Sequence, residues 1–300
     1  MNNFNTPILF VIFNRPDTTQ IVFNEIKKIK PKQLFVTADG PRENKPDETE
    51  RCIKSREIIN QIDWNCEVHK NYSETNLGCK VAVSSGITWF FDNIEEGIIL
   101  EDDCVPDQSF FKFCEELLEY YKDDQRIMHI GGSNFQFGKK RGDGDYYFSK
   151  VNHIWGWATW KRAWKHYDVK IKSLDKFIEN NYIKGVFNSN NIEKRWIRIL
   201  TKVKNNKIDT WDYQWTYSMW SQDGLAILPN KNLVKNIGFG KVATHTKSSN
   251  SKLEKNEVSP LYIKNHPTMI VRDLEADLHF YKTTKRNIII RILNKLKQYV

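Results

Sequence analysis

Five short strand-like stretches, most of them apolar, each stopped by polar or turn-forming residues and separated by stretches of helical spacing, constrain this chain more than any other feature. Residues 7–13 (PILFVIF) are apolar throughout and stop at Asn14-Arg15-Pro16, the pattern of a strand buried on both faces. Residues 17–30 then carry Ile21, Val22, Ile26 and Ile29 at the period of a helix. Residues 33–38 read as a strand ending at Asp39-Gly40-Pro41, 48–62 as a helix, 66–69 as a short strand and 79–91 as a helix. Residues 97–100 form a strand that runs directly into Glu101-Asp102-Asp103. An amphipathic helix over 108–121 and a strand over 127–130, closed by Gly131-Gly132, complete the series. This alternation predicts an α/β chain with a mostly parallel, Rossmann-like sheet flanked by helices.

From about residue 131 the rhythm breaks. Residues 138–145 (GKKRGDGD) read as a charged loop and 153–166 are dense in Trp, with helical pieces near 174–182 and 192–203. Residues 211–220 read as a helix, 225–228 and 232–237 as short strands, and 247–257 as a polar, mobile stretch. The expected organisation is a nucleotide-binding half over 1–130, an aromatic-rich acceptor half over 131–281 packed with it as one unit, and a basic amphipathic helix over 282–300. Hydrophobic residues at 40 % and charged residues at 28 % of 300 allow a core and exclude disordered, collagen-like and coiled-coil classes.

The net charge of +9 invites an anionic partner, but its distribution narrows the choice. Beyond Tyr281, Lys282, Lys285, Arg286, Arg291, Lys295 and Lys297 stand without any acid, so six of the nine excess charges lie there. A nearly balanced body argues against nucleic acid as a partner. In the tail, Ile288, Ile289, Ile292, Leu293 and Leu296 share one helical face, which makes residues 283–300 a candidate for an anionic membrane surface. Five cysteines without CxxC spacing support neither a disulfide framework nor a zinc site. With no basic leader ahead of an apolar core and no apolar stretch of about 20 residues, the expected location is the cytoplasm, with a peripheral membrane contact through the tail.

In an open parallel sheet, ligands bind beyond the carboxyl ends of the strands. Glu101, Asp102 and Asp103 occupy such an end, and three adjacent carboxylates repel unless solvated or neutralised by a cation. Hard oxygen ligands of this kind suit Mg²⁺ or Mn²⁺ held together with a substrate diphosphate. Arg15 follows the first strand and can fork onto a phosphate, while Asp39 follows the second and can accept from a nucleobase imide. Gly78 opens a helix whose N-terminus, with Lys80, is expected to face the diphosphate.

These residues carry a family resemblance. The run 7–15, Asp39-Gly40 and the Glu-Asp-Asp triplet followed by Pro106-Asp107 and Phe110-Phe111 resemble a GT-A glycosyltransferase of the N-acetylglucosaminyltransferase I type. Gly156-Trp157-Ala-Thr-Trp160, Trp211-Asp212-Tyr-Gln-Trp215 and the stretch from Asn236 to His245 are similar to later segments of that family and of its uncharacterised bacterial relatives. The resemblance spans about residues 7–245. It implies that Asp103 binds the metal, Glu101 and Asp102 hold the donor sugar or ribose, Asp39 meets the uracil, Arg15 meets the phosphates and Asp212 is the catalytic base. Tyr213 replaces a second Asp of the animal enzymes, a departure that bears on donor choice.

The reaction so implied is metal-dependent inverting transfer of a hexose, GlcNAc or a relative, from a UDP-sugar. The acceptor would be a saccharide or a lipid-linked sugar in bacterial surface polysaccharide assembly. Trp211 and Trp215 flank Asp212 and would desolvate a base. Trp155, Trp157, Trp160 and Trp211 are candidates to stack on sugar rings, and His245 is a further candidate at the metal. Two alternatives remain, a nucleotidyltransferase that makes sugar nucleotides and a non-catalytic carbohydrate-binding protein. The first wants a Gly-rich N-terminal loop that residues 14–16 lack, and the second leaves the acidic triplet unused.

Overall fold

The computed structural model describes residues 4–238 and 256–284. In chain order the first half contains β1 (Ile8–Ile12), α1 (Pro16–Ile29), β2 (Gln33–Ala38), α2 (Pro46–Glu57), β3 (Glu67–Tyr72) and α3 (Gly78–Asn93). Next come β4 (Glu96–Glu101), β5 (Cys104–Pro106), α4 (Gln108–Tyr120) and β6 (Ile127–Gly131). The second half adds β7 (Tyr146–Ser149), β8 (Trp157–Trp160), α5 (Lys161–Trp164), α6 (Leu174–Glu179), α7 (Lys184–Phe187) and α8 (Asn190–Lys204). It ends with α9 (Asp212–Ser221), β9 (Leu225–Pro229), β10 (Val234–Asn236) and α10 (Leu274–Thr284).

Eight strands form one sheet in the order β3-β2-β1-β4-β8-β6-β9-β7, and only β7 and β8 run against the other six. The mixed α/β architecture with a mostly parallel sheet flanked by helices is therefore the one the apolar runs announce. The chain winds outward from β1 through β2 to β3, then returns to place β4 on the other side of β1. That reversal makes the crevice beyond the carboxyl ends of β1 and β4 the natural place for a ligand.

Strand periodicity explains the two layers. Ile8, Phe10 and Ile12 point to one face with Phe23, Ile26, Phe110 and Leu117 from α1 and α4. Leu9, Phe35 and Ile99 point to the other, where Ile87, Phe90, Trp157, Trp211 and Trp215 pack. Pro16 at the start of α1, with Lys27 and Lys28 in its last turn, fits the helix dipole. At α4, Asp107 caps by accepting from the Ser109 N–H. A third cluster, with Phe177, Phe187, Trp196, Leu200, Tyr217 and Trp220, belongs to the helices of the second half.

Two differences from the sequence expectation affect the site. The Trp-rich segment contains β8, which inserts antiparallel between β4 and β6, so the second half threads through the middle of the sheet. A small antiparallel ribbon, β5 with β10, pairs Asn236 with Cys104 and brings a distant segment to the acidic triplet. The expected basic helix falls mostly on residues 285–300, outside the described residues. Among the described residues, no helix is long and apolar enough to cross a membrane.

Candidate active site

A cleft of about 990 Å³ opens where β1, β2 and β4 end. Arg15, Asp39, Glu101, Asp102, Asp103, Trp155, Trp211 and Asp212 all line it. Residues from three strand ends and from the start of α9, separated by up to two hundred positions in sequence, thus share one space.

The triplet divides its labour by burial. Asp102 is 2 % exposed; its Oδ2 accepts from the Phe13 N–H at 3.3 Å and its Oδ1 is ion-paired with Arg15. Arg15 Nη1 also donates to Asp103 Oδ2 at 2.8 Å. Burial disfavours the guanidinium charge, but the two carboxylates hold the proton on Arg15 above its ordinary range. Burial, followed by the charges of Asp103 and Asp102, pushes the Glu101 carboxyl upward. Asp212, which lines the same cleft, adds a smaller upward push.

Asp103 is held from the far side by the ribbon. Asn236 Nδ2 donates to its Oδ1 at 3.1 Å, and the Ile237 N–H donates to its backbone carbonyl at 2.8 Å. Gly238 lies so close that a Cβ there would overlap the Asp103 carboxylate. This clamp joins residues 133 positions apart, and the sequence reading missed it.

Asp39 lines the cleft, but its carboxylate is already occupied. Oδ1 accepts from the Gly40 and Leu77 N–H groups, both at 2.8 Å; Oδ2 accepts from Asn76 Nδ2 at 2.9 Å and the Gly78 N–H at 3.2 Å. Gly78 reaches that position with φ of +79°, in the region that favours glycine. A carboxylate offers about four acceptor positions, so the imide contact implied for Asp39 competes with the loop it organises. Arg42, Lys45 and Arg51 line the cleft as well, and the spacing of basic residues after Asp39-Gly40 was their only sequence signal.

At the opposite wall, Asp212 begins α9, and Thr210 Oγ1 donates to its Oδ1. Cys79 sits between the acidic groups; burial, with the charges of Glu101, Asp209, Asp212 and Asp39, pushes its thiol up to about 12. That thiol stays protonated and unreactive at neutral pH.

Three expectations need correction. Trp157 is 0 % exposed and packs within the core, its ring stacked at 5.1 Å on His129 and at 5.7 Å on Trp211. Trp160 is also buried, with Nε1 donating to the Leu118 carbonyl at 3.1 Å. Neither lines the cleft, because both belong to a central strand whose two faces are covered. Lys80 does not line it either; its Nζ bonds Asn206 Oδ1 at 2.8 Å. Trp155, just before that strand, is half-buried and does reach the cleft, and Trp211 lines it while remaining 2 % exposed. His245 lies outside the described residues.

Among the described residues, no group of three His, Cys, Asp or Glu side chains is arranged to hold a metal ion. Asp103 Oδ2 accepts from Arg15 and Oδ1 from Asn236, so a cation there would share that carboxylate with both and take its remaining oxygens from a ligand.

No family model matches the chain, and no curated protein matches it. Solved structures with some similarity include TarS 1-349 from S. aureus, at TM-score 0.41 and 10 % identity over 76 % of this chain. The chain covers 59 % of the length of that structure. Two others are 4-diphosphocytidyl-2C-methyl-D-erythritol synthase from Anaerococcus prevotii and HddC from Yersinia pseudotuberculosis. The synthase has TM-score 0.37 and 9 % identity, over 74 % of this chain and 88 % of that one. HddC has TM-score 0.30 and 8 % identity, over 52 % and 77 %.

Proposed function

We propose that this chain is a nucleotide-sugar transferase, and specifically an inverting glycosyltransferase that moves a hexose from a UDP-sugar to a saccharide or lipid-linked acceptor. The observation that carries the reading is the convergence of Arg15, the 101–103 acids and Asp212 on one cleft at the reversal of strand order. Its volume, about 990 Å³, suits a ligand the size of a nucleotide sugar. Residues 1–130 supply the donor wall in this scheme, and 131–281 the acceptor wall.

The chemistry then divides between the two walls. The acceptor hydroxyl oxygen attacks the anomeric carbon, its proton passes to an Asp212 carboxylate oxygen, and the bond to the diphosphate oxygen breaks with inversion. Thr210 orients the base by donating to its other oxygen. Arg15 holds Asp102 and Asp103 in register, and Lys45 and Arg51 offer local donors to an anionic ligand in a lining where acids outnumber bases and Arg42 is paired with Glu48. A Mn²⁺ or Mg²⁺ ion on Asp103, once bound, would neutralise charge developing on the departing diphosphate.

The test is a pair of variants in the full chain. Asp212→Asn is expected to bind UDP as well as wild type while transfer falls by about 10²–10⁴-fold, the range for loss of a general base. Asp103→Ala is expected to abolish metal-dependent UDP binding in titration calorimetry. Near-normal turnover by the first variant, or unchanged binding by the second, would remove the assignment.

A further inference from the structure

A second hollow, about 190 Å³, adjoins the main cleft between α8, α9, α10 and the segment leading to β8. The two spaces share Ile154, Asp212 and Tyr213, so the carboxylate assigned as base stands where they meet.

The polar groups of this hollow are one-sided. Arg195, a solvent-exposed residue of α8, lines it, rests against the Tyr281 ring at 5.9 Å and makes no ion pair with any described residue. Asn152 sets Oδ1 2.7 Å from Thr216 Oγ1, a hydroxyl that also lies 3.2 Å from the Asp212 carbonyl. Asn152 Nδ2 is buried and has no hydrogen-bond partner among the described residues. Burial, with the charge of Asp212, raises the Tyr213 phenol, so that group also stays a donor. Asp212 is the one carboxylate among the described residues lining this space. The remaining walls include Trp196, Phe280 and Tyr281, and the polar tips of Trp196 and Tyr281 are bonded to each other at 2.8 Å.

A guanidinium without a carboxylate partner among the described residues, beside the Asn152 amide, complements a ligand rich in charged oxygens. Aromatic walls complement the C–H face of a sugar ring. We propose that this hollow is the acceptor subsite and that it selects an acidic sugar, one carrying a carboxylate or a phosphoryl group held by Arg195 and Asn152 Nδ2. A neutral sugar could accept from Asn152 through a hydroxyl but offers no counter-charge to Arg195. The inference rests on the glycosyl-transfer reading, which makes Asp212 the group that a hydroxyl of this sugar must reach.

Binding alone tests the subsite, apart from transfer. Titration calorimetry of the full chain with glucuronate, glucose 1-phosphate and glucose is expected to show at least one acidic sugar binding about tenfold or more tightly than glucose. Preference for glucuronate identifies a carboxylate, and preference for glucose 1-phosphate identifies a phosphoryl group. Arg195→Gln is expected to abolish that preference and Arg195→Lys to retain part of it. Asn152→Asp, which sets a negative charge against the ligand, is expected to abolish it too. Lys194→Gln, on an exposed neighbour outside the hollow, is expected to bind as wild type. Equal affinity for the three sugars overturns the proposal, as does an undiminished preference in folded Arg195→Gln or an equal loss in Lys194→Gln. UDP binding is measured on the same samples. Its absence beside intact acidic-sugar binding sinks the transferase reading and leaves the subsite, whereas the reverse result sinks only the subsite.

Discussion

Two segments stand out by density alone, three acids in a row at 101–103 and four tryptophans within ten residues at 155–164. The structure uses them in opposite ways. The acids follow a buried parallel strand and face the cleft, while Trp157, Trp160 and Trp164 are buried in the core and only Trp155 reaches the cleft. Position relative to a strand end separates the cases. Beyond the end of a strand the backbone leaves the sheet and side chains meet ligand or water. Along a central strand covered on both faces, every side chain meets protein.

The sharpest way to break this contrast is to truncate one tryptophan of each kind. Trp157→Ala empties a site lined by His129, Trp211 and Trp215, and is expected to cost about 3–5 kcal/mol in urea unfolding. Trp155→Ala is expected to cost less in stability and to weaken acceptor use in a transfer assay. Equal destabilisation by the two substitutions would erase the distinction.

Legibility in the sequence follows the same divide. Strands β1, β2 and β4 are buried on both faces and read as unbroken apolar runs, so Arg15, Asp39 and the triplet could be placed at their ends. Strands β7 and β8 have four residues each and are rich in aromatic side chains, a pattern no periodicity resolves. A stacking Trp and a core Trp are the same letter, hence the misplacement of Trp157 and Trp160. The Asn236–Asp103 clamp was illegible because ribbon pairing across the whole second half creates it. Gly78 marked a helix start, but not that its N–H would serve Asp39 and leave Lys80 on Asn206.

The aromatic core around Trp157 and Trp215 should also be the acid-labile region. Trp215 Nε1 can only donate, so His129 Nδ1 accepts from it at 3.2 Å and Nε2–H donates to the His153 carbonyl at 3.1 Å. Burial holds His129, and likewise His153, down to about 3. Below the unfolded value of about 6.5, the unfolded chain takes up protons that the folded chain refuses, so stability is lost as pH falls. Each group is expected to contribute about 2 kcal/mol of loss by about pH 5. Urea midpoints measured from about pH 7.5 to pH 5 should therefore fall, and His129→Gln should flatten roughly half of the slope. A slope unchanged in that variant would move the acid sensitivity elsewhere in the molecule.

The smallest expected effect tests the strand-end side of the contrast through geometry alone. Gly238→Ala adds no charge and removes no hydrogen-bonding group, but its Cβ would fall on the Asp103 carboxylate. Either that carboxylate turns away from Arg15 and Asn236, or the ribbon shifts and loosens the Asn236 clamp. Both outcomes misplace the one oxygen pair assigned to the cation. Metal-dependent UDP affinity is therefore expected to fall about tenfold, equivalent to about 1.4 kcal/mol, while metal-free UDP binding changes little. Because Gly238 lies outside the main core clusters, the unfolding midpoint should move far less than in Trp157→Ala. An equal loss of affinity with and without metal would assign the damage to the cleft as a whole and leave Asp103 no special role.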